Sequence, residues 1–330
     1  MPIKAYERLP FSFFVYPLEN KPNMCYNFPV QIDLKRYKMI DYLLIVLSAL
    51  LLAVCFILQK LFQTRTVDTT ESSVEFSIMS AIFSIIMLII TSGFSISFTP
   101  YSAINVLLRS TCCLVHTVLG FKIMKAGSVA LHMLFLMSGG MLVPAVWGWV
   151  FLNEDPKPLH IIGLVVILAS IVLNNLGSGR PSVKVLLMCI TVFIVNGLVS
   201  VFAKLHQVET VYETVSTADY TLLSSVASLV MSLALRAALY IKNKGDRIKS
   251  NCFRLFPMLI IVISGVVSTA SSLLQLEGAK NLPASMLFPL QSGGTIVFSG
   301  LLALIFFGEK LSKRGWAAIG LCVVGTCLFI

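Results

Sequence analysis

Long apolar runs separated by short polar turns fill most of this chain. Ten of them lie at about 40–61, 74–94, 101–121, 128–152, 159–177, 182–205, 220–241, 255–276, 284–307 and 314–330. Each approaches the roughly 20 residues that a helix needs to cross about 30 Å of hydrocarbon. None alternates in the manner of a membrane β-barrel strand. In lipid a helix satisfies its own backbone groups, so the expected fold class is all-α: a polytopic membrane protein with ten transmembrane helices. Residues 1–38 fall outside the pattern. They hold Pro2, Pro10, Pro17, Pro22 and Pro29, have no run long enough to cross, and end on Lys35, Arg36 and Lys38. This polar tail is expected to be disordered. It lacks the order of a signal peptide, and Met24 and Met39 are alternative start positions.

The polar punctuation repeats. Lys125-Ala-Gly-Ser-Val-Ala130 leads into a run carrying Ser138-Gly139-Gly140, then into a turn with Glu154. Gly278-Ala-Lys-Asn-Leu-Pro283 leads into a run carrying Ser292-Gly293-Gly294, then into a turn with Glu309. The two Ser-Gly-Gly triplets are 154 residues apart and the two glutamates 155. The first run ends Gln59-Lys60-Leu61 and the sixth ends Ala203-Lys204-Leu205, an offset of 144. An internal period near half the chain divides it into 39–178 and 179–330, five runs each. An odd number of crossings per copy turns the second copy upside down, giving two inverted five-helix repeats. That arrangement is characteristic of secondary transporters, whose halves exchange conformations around a central site.

Composition narrows the class. Hydrophobic residues make up 57% of the 330 and charged residues only 12%, and the mean hydropathy is +0.90. Soluble domains are about a quarter charged, so this is a membrane composition. The net charge of +10 resides mainly in turns between runs, where it suits an anionic bilayer surface; no basic stretch interleaved with aromatics suggests nucleic acid. The eight cysteines are scattered without a CxxC pair and read as apolar packing residues. There is no phosphate-cradling glycine loop and no metal-ligand spacing among His116, His132, His160 and His206. No carboxylate completes a triad with Ser110 and His116. The expectation is not an enzyme, with no cofactor and no metal.

Phe307-Gly308-Glu309-Lys310-Leu311-Ser312, followed by Gly315-Trp316-Ala317-Ala318-Ile319-Gly320 and Gly325, resembles the end of an EamA-type transporter of the drug/metabolite transporter superfamily. The stretch from Glu277 to Gly294 is similar to the preceding helix of that family. In the first half the pattern departs: Glu154 reaches Gly163 two residues sooner than Glu309 reaches Gly320. The resemblance implies a ten-helix fold that moves small metabolites, amino acids or drugs without ATP. It also implies both termini in the cytoplasm, which the basic residues before the first run support. The opposite-side turns carry more Lys and Arg, and the positive-inside rule pulls them the other way.

Polar groups at membrane depth tend to face a cavity or a partner. Substrate-binding candidates are therefore Lys60, Arg109, His116, Asn196, Lys204, Gln275 and Gln291. Lys60 and Lys204 stand at equivalent repeat positions; they either snorkel to the headgroups or line the cavity as paired positive charges. Arg109 is nine residues into its run. His116 is a pH-dependent candidate or a bundle hydrogen bonder. Arg236 lies near a run's end and reads as snorkelling. Asn196, Gln275 and Gln291 either bond between helices or face substrate. The Ser-Gly-Gly triplets read as close-packing surfaces. Glu154 and Glu309 read as residues that bond the start of the following helix. No carboxylate sits mid-run, which argues against proton-coupled export of lipophilic cations.

The function expected is a secondary transporter, exporter or exchanger, of a small polar metabolite such as an amino acid, acting by alternating access. The alternatives are an exchanger of phosphorylated or nucleotide-linked sugars, and a non-transporting scaffold or receptor. The expected partners are a small-molecule substrate and the lipid bilayer, with homodimerisation left open. The expected location is the bacterial cytoplasmic membrane.

Overall fold

A computed structural model describes residues 31–65, 70–91, 96–125, 129–155, 157–175, 182–242, 254–307 and 313–329. Ten helices and no strand occur among them: α1 (Gln31–Arg65), α2 (Thr70–Thr91), α3 (Pro100–Lys125), α4 (Val129–Phe151), α5 (Pro158–Asn175), α6 (Val183–Val208), α7 (Thr217–Lys242), α8 (Leu255–Asn281), α9 (Ala284–Phe307) and α10 (Lys313–Cys327). The tail reading covers residues 1–38, yet α1 already begins at Gln31. Residues 1–30 lie outside the described residues.

Seven helices, α1–α3 and α6–α9, are long and apolar enough to cross a membrane. The apolar parts of α4 and α5 are shorter, Phe135–Phe151 and Pro158–Leu173, and α10 has 15 residues. Side chains such as Ile90, Val183, Ile241, Leu255 and Ile305 are more than half exposed. So many large apolar groups facing outward would make a soluble protein aggregate, and they suit contact with lipid tails. The chain is an integral multi-pass membrane protein.

Packing follows an exchange rule. Helix α1 packs on α8 and α9, and α6 packs on α3 and α4; α2 packs on α7 and α8, and α7 on α2 and α3; α4 packs on α9 and α5 on α10. Adding or subtracting five converts each of these contacts into another in the set or into itself. Contacts of α6 with α8 and α9, of α7 with α8 and of α5 with α9 break the rule, because their matching contacts do not reach that strength. The largest apolar cluster includes Ile45 of α1, Met141 and Ala145 of α4, Ile167 of α5, and Leu287 and Leu290 of α9.

The Ser-Gly-Gly triplets sit at close approaches, where small residues let membrane helices touch. A Cβ on Gly139 would collide with the Phe193 carbonyl of α6, and one on Gly140 would lie 2.9 Å from Asn196 Nδ2. One on Gly293 would strike Thr326 of α10, and one on Gly294 would lie 3.1 Å from Ala49 of α1. The glycine alignment between the halves comes out differently. Gly163 backs onto Gly325 across the α5–α10 contact, whereas a Cβ on Gly320 would meet nothing within 4 Å. Identity of residue type misled there: the contact that matters is between glycines in different frames of the repeat.

Candidate functional site

Three polar assemblies tie the bundle together. The first grips the short turn between α8 and α9. Lys204 lies near the end of α6, only 4% exposed, and its ammonium donates to the carbonyls of Ala279 and Leu282, both at 2.6 Å. A helix C-terminus offers unpaired carbonyls and a partial negative charge, so the cation is held there at low dielectric. On the far side of the turn, Glu154 Oε1 accepts from the Ala284 N–H at 2.6 Å, and Oε2 accepts from the Ser285 N–H at 2.9 Å and the Ser285 hydroxyl at 2.6 Å. Those N–H groups are the first of α9 and have no partner inside that helix. Asn153 delivers the carboxylate by adopting φ 50°, a left-handed conformation that asparagine tolerates well. The Glu154 N–H returns to the Gly148 carbonyl at 3.1 Å, and the carboxylate sits over Gly148, where a Cβ would block it.

Two expectations are corrected here. Lys204 neither snorkels nor presents a free charge to a cavity; helix carbonyls absorb its donors. Glu154 bonds a helix start, but that of α9 in the other half of the chain rather than that of α5. Sequence order suggested the neighbouring helix, and the packing of α4 on α9 decides otherwise. Glu309 and Lys310 lie outside the described residues.

The second assembly joins α1, α8 and α9. The Ser48 hydroxyl donates to the Ser271 carbonyl at 2.8 Å, and the Ser271 hydroxyl returns to the Ser48 carbonyl at 2.9 Å; the two oxygens are 3.1 Å apart. Gln291, 5% exposed, donates from Nε2 to Ser48 Oγ at 3.2 Å. Thr295, one turn on, donates to its own helix at Gln291 O, 2.8 Å. Sequence reasoning singled out Gln291 and missed both serines. Serine inside an apolar run carries little signal, because its hydroxyl often turns back to the i−4 carbonyl.

The third runs along the α3–α7 contact. His206 Nε2 and Ser102 Oγ are 2.8 Å apart, and Ser102 Oγ also accepts from the Val215 N–H at 3.1 Å. Tyr220 OH donates to Asn105 Oδ1 at 2.8 Å. Further along the same seam, Asn105 Nδ2, Arg109 Nε, Ser110 Oγ and Ser224 Oγ are buried with no hydrogen-bond partner among the described residues. The Arg109 guanidinium lies 6.0 Å from the Tyr220 ring centroid, the outer limit of a useful cation–π contact.

The remaining candidates scatter. Lys60 does not reproduce the contacts of Lys204; its Nζ lies over the Phe307 ring at 4.7 Å. Asn196 donates from Nδ2 to the Leu136 carbonyl at 2.7 Å, tying α6 to α4. His116 is half-buried on α3, and Gln275 half-buried on α8. His132 is buried and packs against Gly120 of α3, where a Cβ would lie 2.7 Å from its Cε1. Arg236 is exposed and pairs with Glu75 of α2, so it serves a surface ion pair.

The class these features define is a multi-pass helical membrane protein whose halves pack by exchange of equivalent helices. Residues 183–330, which span α6–α10, match the model of the EamA-like transporter family, part of the drug/metabolite transporter superfamily. A solved structure titled "Crystal structure of protein" superposes with a TM-score of 0.65 at 16% identity, covering 89% of this chain and 96% of its own. At that identity the likeness concerns the fold alone. Comparison with curated proteins gave no match.

Proposed function

We propose that this chain is a secondary transporter of a small polar metabolite, working by alternating access between two inverted five-helix repeats. The supporting observation is the exchange packing of α1 on α8 and α9 against α6 on α3 and α4, together with the family match over α6–α10. Two copies inserted in opposite senses can each adopt the conformation of the other, which opens a central pathway first to one side and then to the other. In this conformation the end bearing the α8–α9 turn is closed. Lys204 and Glu154 fix the turn, and the Ser48–Ser271 pair with Gln291 holds α1 to α8 and α9 below it. Lys60, at the position equivalent to Lys204, lies over the Phe307 ring. Lys204, Asn196 and Gln291 belong to this framework and its closure, since each already donates to an internal partner.

The test is counterflow in proteoliposomes loaded with a labelled panel of amino acids and organic anions. A Ser48→Cys/Ser271→Cys variant, made in a background lacking the native cysteines, adds a lock, because the two hydroxyl oxygens are 3.1 Å apart. Oxidation should abolish counterflow and reductant should restore it. Counterflow that survives full cross-linking would overturn alternating access at this closure. The absence of counterflow for every solute before oxidation would sink the transporter reading and leave a scaffold.

A further inference from the structure

The α3–α7 seam gathers four polar groups whose bonding is unfinished among the described residues. Asn105 and Ser110 on α3 are 2% and 3% exposed, and Ser224 on α7 is 6% exposed. Asn105 Nδ2, Arg109 Nε, Ser110 Oγ and Ser224 Oγ all lack a partner among the described residues. A buried unpaired donor costs about 1–3 kcal/mol, so four together is a large deficit for a stretch of two helical turns. Three of the four lie within two turns of α3, at i, i+4 and i+5. Helices α3 and α7 run in the same direction: Val215 meets Ser102, Tyr220 meets Asn105, and beyond them residues of both helices line one cavity. Ser224, one turn past Tyr220, therefore comes level with Arg109 and Ser110.

Arg109 sets the sign of the missing partner. It stands nine residues into α3, at membrane depth, where a cation needs a counter-ion or a path to water. Helices α3, α4 and α6 contain no carboxylate. Asp219 of α7 is engaged with Ser97 and Ser216, and Glu75 of α2 is engaged with Arg236. Next along α3, from Ser110 onward, a cavity of about 150 Å³ opens between α2, α3 and α7. Its hydrogen-bonding walls are Ser77, Ser110, Thr117, Ser228 and Ser232. A cavity near this volume accepts a body of about benzene size.

We propose that this seam binds an oxyanion, carboxylate or phosphoryl, carried on a small hydroxylated body. The oxyanion takes the donors of Arg109, Asn105, Ser110 and Ser224, and the body's hydroxyls meet the serines of the cavity. The ligand bridges α3 of the first five helices to α7 of the second. The site lies off the α1–α8–α9 closure, and it stands or falls by direct binding, independently of whether the protein transports anything. Its depth in α3 favours a solute over the headgroup of a lipid lying in the bilayer plane.

Thermal unfolding of the full chain in detergent tests it, with sodium glycerate, sodium phosphate, glycerol and sodium chloride as probes at matched ionic strength. Glycerate or phosphate should raise Tm saturably, with chloride and glycerol giving no saturable shift. Arg109→Gln should weaken that response by at least about tenfold, and Ser224→Ala by a few-fold. Asn105→Asp adds a distinguishing sign. It keeps the acceptor for Tyr220 and places a carboxylate one turn from Arg109, so it should raise Tm without ligand and remove the response to glycerate and phosphate. Equal shifts with chloride, or an undiminished response in Arg109→Gln and Asn105→Asp, would overturn the proposal. So would a failure of both oxyanions to shift wild type, which would assign the four donors to ordered water. A shift produced only by adding phosphatidylglycerol to the micelles would overturn the solute source.

Discussion

The α8–α9 turn and the α3–α7 seam are built from the same kinds of residue and are finished differently. At the turn, every donor of consequence has an acceptor: the Lys204 ammonium has two carbonyls and the Glu154 carboxylate has three donors. In the seam, Arg109 Nε and three neutral groups have no partner among the described residues. In low dielectric a satisfied cluster holds helices in one arrangement, whereas an unsatisfied one carries a penalty that a ligand can relieve. Residue type alone does not separate the two, for Lys204 and Arg109 are both cations inside apolar runs. What separates them is the end of a helix. Lys204 reaches a C-terminus with free carbonyls, while the Arg109 guanidinium lies 6.0 Å from the Tyr220 ring centroid and its Nε has no partner among the described residues.

Substitutions can break this comparison, and the largest effect belongs to the turn. Lys204→Met removes the cation while leaving the Ala279 and Leu282 carbonyls buried, and should destabilise by about 3–5 kcal/mol. Equilibrium unfolding in mixed micelles measures it, and a loss under 1 kcal/mol would mean that the buried ammonium does not hold the turn. Glu154→Ala strips three charge-assisted bonds from the start of α9 and should cost about 3 kcal/mol by the same assay. Because both residues hold one turn, the double variant should cost less than the sum, and strict additivity would argue against a shared clamp. Lys60→Met, the repeat-equivalent change, removes a cation–π contact and should cost about 0.5–1 kcal/mol; a loss equal to that of Lys204→Met would erase the asymmetry between the halves. Gln291→Leu removes one interhelical bond and should cost about 0.6 kcal/mol. Smallest of all, Ser224→Ala without ligand should be neutral or slightly stabilising, since the hydroxyl has no bond to lose. A clear destabilisation there would show that the seam is already satisfied.

Much of the architecture was legible in the chain itself. Ten helices, the turn positions, the close-packing glycines and the resemblance in the last helices all follow from where apolar runs stop and small residues recur. The candidate site was legible only as a set of names. Arg109 was visible because a cation nine residues into an apolar run is expensive. Asn105, Ser110, Ser224, Ser48 and Ser271 were not, because a single hydroxyl or amide in a membrane helix is cheap until its neighbours are known. Lys60 and Lys204 looked equivalent, but the two carbonyls that hold Lys204 come within its reach through the contact of α6 with α8.

Hydrophobic length and period fixed the class of protein, because the bilayer imposes the same requirement on every segment separately, and each segment meets it with its own residues. Which polar groups meet depends on which helices are neighbours, and those neighbours lie up to about half the chain away or more: Ser48 with Ser271, Glu154 with Ala284, Asn105 with Tyr220. Only the folded bundle decides which donors are spent on the protein and which remain for a ligand, since a hydrogen bond is satisfied over about 3 Å in space and not by any spacing in sequence.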